Sequence, residues 1–236
     1  MEDSTIYCKD HLVSGEEYRL EKWKHYDILK TEPVPENLSA YYKSEDYISH
    51  TDASKSFTDK LYNIVKAYML QKKVGWILKE KSKGKLLDIG AGTGDFLKQA
   101  KNEGWKVTGI EPSPDARKKA SEKGTALFQN IDAVSTQKFD AITMWHVLEH
   151  VPDLQHQIEW LKNHLNKNGV LFVAVPNFNS LDAKHYKNFW AAWDVPRHLH
   201  HFSAKSIKTL FEAQGFILEE TKPLVFDSFY VSLLSE

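Results

Sequence analysis

Cysteine and arginine are scarce in this chain of 236 residues. Cys8 is the only cysteine, which excludes an internal disulfide framework and any multi-cysteine metal cluster within one chain. Arg19, Arg117 and Arg197 are the only arginines among 31 basic residues, so bidentate contacts to phosphate groups are sparse. The 32 acidic residues bring the net charge to −1. The sequence therefore gives no sign of the basic face that a nucleic-acid-binding protein usually carries.

Long apolar runs are missing as well. The sequence has no stretch of about 18 apolar residues, the length that a membrane-spanning helix needs. Met1 is followed by Glu2 and Asp3 instead of a basic and then an apolar segment, so no signal peptide is predicted. Apolar residues make up 42% of the chain and charged residues 27%, which are ordinary globular values. We expect a soluble, cytoplasmic protein with one large domain or one domain and an appendage.

Strand and helix patterns alternate along most of the chain. Apolar residues spaced three and four apart predict a helix from Phe57 to about Glu80. Later helices are predicted to begin at Asp95, at Ser113-Pro114, after Asp153 and at Ser203. The predicted strands are Lys85–Ile89, Val107–Ile110, Ala126–Phe128, Phe139–Met144, Val170–Val175 and Phe216–Leu218, with a turn at Asn166–Gly169. This alternation predicts an α/β fold with a Rossmann-like, doubly wound, mostly parallel sheet.

The sharpest motif is a glycine turn that follows the first of these strands. It reads Asp88-Ile89-Gly90-Ala91-Gly92-Thr93-Gly94. Nicotinamide and flavin sites use G-x-G-x-x-G with a pyrophosphate over the helix start, and here the third glycine comes one residue early. Asp88 would repel a pyrophosphate but would suit an ammonium group. The next strand ends at Glu111, where a carboxylate can accept both hydroxyls of a ribose.

The order of these motifs, with Phe139–Met144 and Val147–Val151 after them, resembles the class I S-adenosylmethionine-dependent methyltransferases. The resemblance covers about Lys85 to Leu224 and implies that S-adenosyl-L-methionine is the cofactor. It places Asp88 near the methionine amine and Glu111 on the ribose hydroxyls. The other cofactor contacts that it implies are Gly90, Ala91, Gly92, Pro112, Ile131, Asp132, Trp145 and His146. Asn130 could serve in place of Asp132, and Trp145 could be an ordinary core aromatic.

Two groups of histidines are candidates for acting on the methyl acceptor. His146, Glu149 and His150 would share one face if their segment were helical. The similar ubiquinone-pathway O-methyltransferases carry Glu-x-x-Glu-His here and are thought to use a divalent cation. Because His146 replaces the first Glu, we favour a hydrogen-bonded structural pair and predict no metal, although His, Glu and His could hold a softer ion.

The second group lies between Trp190 and His201, in a segment too long for a simple loop. It resembles a stretch of a large, mostly uncharacterised bacterial branch of the family, and we interpret it as a cap with an aromatic and histidine-lined acceptor wall. A folded cap whose polar groups pair with each other is an equal alternative. The catalytic candidates are His146, His150, His198 and His200, with His200 preferred as the base. The sequence Val175-Pro176-Asn177 argues against an exocyclic-amine DNA methylase.

The first third of the chain resembles the same branch, whose members begin with a zinc ribbon of two C-x-x-C pairs. Here only Cys8 and His11 remain, and two ligands cannot hold a structural zinc tetrahedrally. We predict a zinc-free, β-rich or irregular relic in which Trp23 and Tyr26 pack in place of the metal. Tyr47 and His50 are candidates for a lid over the cofactor.

The predicted organisation has three parts. A degenerate zinc-ribbon-like or lid segment spans 1–56, a linking helix 57–84 and the methyltransferase domain 85–236, with a cap insertion at about 177–202. The family sheet has seven strands and six can be placed, so we expect the sheet to lack its last strand and residue 236 not to be a natural domain end.

The expected function is methyl transfer from S-adenosylmethionine to a small-molecule acceptor, with oxygen as the favoured acceptor atom. C-methylation of a sugar-type substrate and S-adenosylmethionine binding without turnover remain alternatives. No nucleic-acid partner is expected, and the sequence leaves the oligomeric state open.

Overall fold

A computed structural model describes residues 5–23, 26–42 and 57–236, with the backbone alone for 57–62. The proposed lid residues Tyr47 and His50 lie outside these ranges. The strands are β1 Ile6–Lys9, β2 Glu17–Trp23, β3 Ile28–Glu32, β4 Lys85–Ile89, β5 Lys106–Ile110, β6 Phe139–Trp145, β7 Leu165–Ala174 and β8 His200–His201. The α-helices are α1 Phe57–Glu80, α2 Asp95–Asn102, α3 Pro114–Glu122, α4 Leu154–His164, α5 Leu181–Tyr186, α6 Ala204–Glu212 and α7 Val225–Ser235. Within the described ranges, no helix has both the length and the apolar character that crossing a membrane requires.

The chain divides into two compact units. The parallel-sheet unit comprises Lys60–Leu148 and Asp153–Ala174. The antiparallel-sheet unit comprises Met1–Asp59, Glu149–Pro152 and Val175–Glu236. The N-terminal residues and the segment that contains His198 and His200 therefore belong to the same unit.

The parallel-sheet unit has the strand order β5-β4-β6-β7, and all of its strand pairs are parallel. Strand β4 lies inside this sheet and has four of its five residues buried, as a strand covered on both faces should. One face of α1 contributes Val74 and Ile77 to the same core. The predicted α/β fold with a Rossmann-like, mostly parallel sheet is confirmed.

One local prediction in this unit was wrong. The predicted turn at Asn166–Gly169 is part of β7, which begins at Leu165. A register shift opposite Phe139, a left-handed backbone at Asn168 (φ 63°) and a 2.8 Å hydrogen bond from Asn166 Nδ2 to Asp140 Oδ1 absorb the irregularity without ending the strand. Turn-forming residues therefore produce a bulge at this point.

The predicted sixth strand at Phe216–Leu218 is also absent, because described residues 216–224 form neither helix nor strand. Ile217 is 81% exposed and Leu218 47% exposed, so these two side chains gain little burial that would hold the segment extended. The third predicted strand, Ala126–Phe128, is reduced to a single parallel bridge between Ile110 and Phe128. We expected the sheet to lack its last strand, and residues Val225–Ser235 form helix α7 and not a strand.

The antiparallel-sheet unit is organised around the strand order β1-β2-β3-β8. Strands β1–β3 lie in the segment for which an irregular or β-rich appendage was predicted. Strand β8 belongs to the distant His200–His201 segment and pairs with β3 through Leu29 opposite His201 and Lys30 opposite His200. Trp23 and Tyr26 pack edge to face, with ring centroids 5.2 Å apart. Their replacement of an ancestral metal stays an interpretation.

Cys8 lies in the core of this unit. Its side chain is buried in a cluster with Tyr18, Leu20, Trp190 and Trp193. Burial and the nearby carboxylate of Glu17 raise the pKa of the Cys8 thiol to about 12. A thiol with this pKa is neutral at physiological pH and is therefore a poor nucleophile and a poor metal ligand.

A buried ionic network crosses the same unit. The Arg197 guanidinium, 1% exposed, lies 3.1 Å from Asp10 Oδ1 and 2.6 Å from Asp194 Oδ1. Asp10 also accepts hydrogen bonds from the backbone N–H groups of Leu12, Val13 and Ser14. Although burial raises the pKa of Asp10, the Ser14 and Leu12 N–H groups and the Arg197 charge lower it below its ordinary value. The network thus joins the loop after β1 to the histidine segment through charges that are compensated on both sides.

Candidate functional site

The glycine turn connects β4 to α2 at the carboxyl end of the parallel sheet. Gly90, Gly92 and Gly94 all have positive φ angles, of 74°, 53° and 76°. L-residues with a side chain adopt this left-handed region at a cost, so the three glycines are required by the backbone of the turn. The spacing recognised in the sequence therefore corresponds to left-handed positions at three alternate residues.

Four N–H groups of this turn, those of Gly90, Ala91, Gly92 and Gly94, donate hydrogen bonds within the protein. Gly90 N and Ala91 N both donate to the Ile110 carbonyl, at 2.8 and 2.9 Å. Gly92 N donates to Glu111 Oε2 at 2.9 Å, and Gly94 N donates to the Ala91 carbonyl at 2.9 Å. Phosphate-binding turns instead direct their N–H groups at the ligand. This hydrogen bonding disfavours a phosphate or pyrophosphate over the turn.

Asp88 supplies a buried carboxylate at the end of β4. Its side chain is 2% exposed and accepts a 2.6 Å hydrogen bond from Thr143 Oγ1 on the neighbouring strand β6. Burial raises the pKa of Asp88 to about 7, although the Thr143 hydroxyl and the Lys73 charge act in the opposite direction. A carboxyl group with this pKa ionises readily when a cation binds beside it.

Glu111 lies at the end of the adjacent strand β5 and is anchored at both oxygens. Oε2 accepts the Gly92 N–H, and Oε1 accepts the Ser113 N–H at 2.8 Å. An ionised carboxylate has about four lone-pair sites, so two acceptor positions remain for a diol. Pro112 follows at the same strand end, and Arg117 Nη1 donates to the carbonyls of Glu111 and Pro112 at 2.7 and 2.6 Å.

The turn predicts different effects for two alanine substitutions. A Cβ added at Gly90 would lie 2.3 Å from Val147 Cγ2, whereas a Cβ at Gly92 meets nothing within 4 Å. We expect Gly90→Ala to lower the free energy of unfolding by about 2–4 kcal/mol, from backbone strain plus overpacking. Gly92→Ala should cost only about 1 kcal/mol from strain. Denaturant titrations of both variants measure this difference, and equal losses would contradict it.

Three more predicted cofactor contacts of the parallel-sheet unit lie just before β6, at Ile131 and Asp132, and just after it, at His146. Asn130 caps the short helical turn Ile131–Val134 by accepting the Asp132 N–H at 3.2 Å. Because the Asn130 side-chain oxygen has this local role, Ile131 and the exposed Asp132 remain the stronger adenine candidates. His146 has a left-handed backbone, with φ 57°, at the end of β6. Non-glycine residues in this region are uncommon and often mark functional sites.

Trp145 has the environment of a core residue. Its ring packs against Phe96 and Phe172, with centroids 5.5 and 6.3 Å away, and the Lys73 ammonium lies 4.7 Å from its ring centre. These contacts favour the alternative that Trp145 stabilises the sheet. They leave its predicted cofactor contact as a proposal.

The histidines predicted to act on the acceptor fall into different parts of the molecule. His146 belongs to the parallel-sheet unit, whereas Glu149 and His150 belong to the antiparallel-sheet unit. The left-handed backbone at His146 also prevents the continuous helix on which a shared face would depend. Among described residues, the structure instead brings Glu149 and His150 together with His198, with one ligand atom from each within 4.8 Å of the others.

His200 and His201 are buried in the same unit. His198, His200, His201 and Trp190 pack with Phe178 around one enclosed space that is too small to admit a water molecule. Burial lowers the pKa of His200 to about 4 and that of His201 well below its ordinary value. Both rings are therefore neutral near pH 7.

The lone pair of His200 can be assigned from its contacts. Its ring makes a hydrogen bond with the Val151 backbone, and its buried Nδ1 has no hydrogen-bond partner among described residues. Nε2 is therefore the donor and Nδ1 keeps the lone pair.

Sequence reasoning missed the residues that hold the histidine segment. Thr31 N donates to the Leu199 carbonyl at 3.1 Å, and Thr31 Oγ1 donates to the His198 carbonyl at 2.6 Å. Tyr42 OH lies 3.0 Å from His150 Nδ1. The adjacent Tyr41-Tyr42, a pair that also resembles the bacterial branch, is the sequence feature that could have pointed to Tyr42.

Comparisons with curated proteins find related methyltransferases. The chain is 38% identical over 107 residues to a ubiquinone biosynthesis O-methyltransferase of Actinobacillus pleuropneumoniae serotype 5b (strain L20), covering 39% of this chain and 46% of the relative. It is 31% identical over 115 residues to an uncharacterized methyltransferase of Alkaliphilus oremlandii (strain OhILAs), covering 45% and 52%. The chain thus spans about half the length of the curated relatives it matches.

Comparisons with solved structures and with family profiles agree on the fold. Magnesium protoporphyrin IX methyltransferase from Synechocystis PCC 6803 superposes with a TM-score of 0.61 at 17% identity, covering 78% of this chain and 90% of that one. A profile described as a methyltransferase domain matches residues 65–221. Because this match extends over more than half of the chain and includes the glycine turn, the chain belongs to the methyltransferase-domain family.

Proposed function

We propose that the protein binds S-adenosyl-L-methionine at the glycine turn and transfers its methyl group to a small-molecule acceptor, with oxygen as the acceptor atom. The observation that carries the proposal is the combination of a turn with four N–H groups bonded inside the protein and two carboxylates at neighbouring strand ends. Such a site suits a cofactor with an ammonium, a sulfonium and a ribose, and no phosphate.

The proposed contacts follow from the residues at the strand ends. Asp88 takes the methionine ammonium, and the backbone of Gly90, Ala91 and Gly92 packs against the cofactor. Glu111 takes the ribose hydroxyls. Pro112, Ile131, Asp132, Trp145 and His146 complete the proposed cofactor contacts.

The main task of the protein in this reaction is to position the acceptor atom at the methyl group. Methyl transfer is an in-line displacement at the sulfonium methyl, so the enzyme orders the acceptor atom behind that methyl and excludes water. An oxygen acceptor must lose its proton, and a neutral imidazole can take it. His200 is our candidate base because its ring is neutral near pH 7 and its Nδ1 keeps a lone pair. His146, His150 and His198 are the other candidates.

Oxygen as the acceptor atom is supported by the relatives named ubiquinone biosynthesis O-methyltransferase. The second candidate, C-methylation of a sugar-type substrate, is favoured only by the likeness of the N-terminal strands to a zinc-ribbon front end. It would require exchange of a proton at a carbon beside a ketone, which O-methylation does not.

The experiment is release of S-adenosylhomocysteine from S-adenosylmethionine in the presence of phenols, sugars and amines. We expect release with a hydroxyl acceptor, and His200→Gln should lower turnover by about 10²–10⁴-fold while leaving cofactor affinity unchanged. His156→Gln, at an exposed position of α4, is the matched control and should behave as wild type. Failure to bind S-adenosylmethionine at millimolar concentration would refute the proposed function. Acceptor-dependent proton exchange would favour C-methylation, and binding without release would favour a non-catalytic protein.

A further inference from the structure

We propose that Glu149, His150 and His198 form a divalent-metal site selective for Zn²⁺-like transition ions over Mg²⁺, with His198 as the ligand that sequence comparison alone does not supply. The related Glu-x-x-Glu-His motif implies an oxygen-rich site, but His146 replaces its first Glu here. In this chain, a second imidazole, that of His198, lies beside Glu149 and His150 instead.

The three ligands converge in one buried place. Glu149 is 0% exposed and His198 is 8% exposed, and the rings of His150 and His198 pack edge to face with centroids 4.7 Å apart. One ligand atom from each residue lies within 4.8 Å of the other two. Metal–ligand bonds of about 2.1 Å place neighbouring ligand atoms about 3.4 Å apart, so a small inward rotation of the side chains completes the site.

Hydrogen bonds fix the tautomer of both imidazoles. His150 Nδ1 lies 2.9 Å from the Arg197 carbonyl, and His198 Nδ1 lies 2.9 Å from the Ala192 carbonyl. Because a carbonyl oxygen can only accept, each Nδ1 carries a proton, and Nε2 is the nitrogen that can bind a metal. An imidazole that donates one N–H to a carbonyl and offers the other nitrogen is the usual arrangement of a metal-binding histidine.

The surrounding residues orient these ligands. Tyr42 OH lies 3.0 Å from His150 Nδ1 and donates to the Arg197 carbonyl at 3.3 Å. Leu199 N donates to the Glu149 carbonyl at 2.8 Å, so the backbones that carry the carboxylate and His198 are tied together. A salt bridge between His198 and Asp194 is the competing arrangement, but its 3.8 Å separation is too long for a hydrogen bond.

The donor set decides the class of ion. Two imidazole nitrogens and one carboxylate suit Zn²⁺, Co²⁺ or Ni²⁺, whereas Mg²⁺ prefers oxygen ligands and keeps several waters. Three protein ligands also leave a coordination position open for a water or another oxygen ligand. This inference does not depend on the proposed methyl transfer, since its readout is metal binding in the absence of cofactor and acceptor.

The test is titration of chelator-treated full-length protein with Co²⁺ followed by visible absorption, and with Zn²⁺ and Mg²⁺ by calorimetry. We expect one site with the absorption bands of four- or five-coordinate Co²⁺, displaced by Zn²⁺ and not by millimolar Mg²⁺. His198→Ala should weaken Zn²⁺ binding by about 100-fold, and Tyr42→Phe by about 10-fold through loss of orientation. His185→Ala removes an exposed histidine of the same unit and should leave the site unchanged.

Three results would overturn the proposal. They are wild-type protein without a Co²⁺ spectrum, Mg²⁺ binding as tight as Zn²⁺ binding, and wild-type affinity in His198→Ala. If His198→Ala fails to fold, Glu149→Gln and Tyr42→Phe replace it, and unchanged affinity in both would equally overturn the proposal.

Discussion

Replacing Asp88 by Asn should lower the affinity for S-adenosylmethionine by about 10–150-fold, the value of one hydrogen bond between charged groups. The substitution keeps the size of the side chain and a partner for Thr143 Oγ1, so the strand end should stay folded. Only the charge that faces the proposed ammonium is lost. Calorimetric titration with S-adenosylmethionine measures the change.

The pH dependence of binding gives an independent signature of the same residue. Burial raises the pKa of Asp88 to about 7, so the free protein carries a proton there below neutral pH. Because a cationic ligand binds the ionised form, affinity should fall by up to about ten-fold per pH unit below 7 and level off above it. The pH dependence of folding stability has the opposite sign to that of ligand affinity. The raised pKa contributes stability below the ordinary value near 4, and this contribution is lost as the pH rises through 7.

The control for both measurements is Asp115→Asn, an equal loss of charge at an exposed position in the first turn of α3. It should leave the affinity and its pH profile unchanged. Asp88→Asn should instead show a flat profile between pH 5 and 8. Wild-type affinity in Asp88→Asn would remove the main support for the proposed function.

Replacing Arg197 by Ala should destabilise the antiparallel-sheet unit by about 3–5 kcal/mol. Arg197 is 1% exposed, and its removal leaves the buried carboxylate of Asp10 without its compensating charge. Asp10 would still accept hydrogen bonds from backbone N–H groups, but these bonds cannot replace a full positive charge beside a buried carboxylate. Denaturant unfolding followed by tryptophan fluorescence reports this loss, because Trp190 and Trp193 lie in the core of the same unit.

Arg19→Ala is the matched control. Its ion pair with Glu21 is at the surface, with side chains 53% and 49% exposed, and surface pairs contribute about 0–1 kcal/mol. Arg197→Met tests whether packing or charge matters, since it fills the same space without the guanidinium. A loss below 1 kcal/mol in both Arg197 variants would show that the buried network adds little to stability.

Much of the parallel-sheet unit could be predicted because its signals are local. The spacing of apolar residues predicted a helix from Phe57 to about Glu80 and a strand at Lys85–Ile89. The structure has α1 and β4 at these positions. The N-cap serine and the proline at the start of α3 were also readable, since capping involves neighbours in sequence. The turn at Asn166–Gly169 failed because pairing with β6 resumes on both sides of it, at Leu165 and at Val170, so these four residues remain as an unpaired insertion within β7.

The histidine segment could not be predicted in the same way. Its partners are β3 and Tyr42, far away in sequence, and a single sequence carries no signal for such contacts. The expectation of a shared face for His146, Glu149 and His150 followed from helical spacing, and the left-handed backbone at His146 removes its premise.

By itself, the sequence determined the left-handed glycine turn and the strands that end beside Asp88 and Glu111, because glycine spacing and apolar runs are local signals. Tertiary structure alone decided that His198 joins Glu149 and His150, because the pairing of β3 with β8 and the Arg197 network bring distant residues together. The physical reason is that the alternation of apolar residues specifies elements, whereas long-range pairing and buried charge compensation specify which side chains meet.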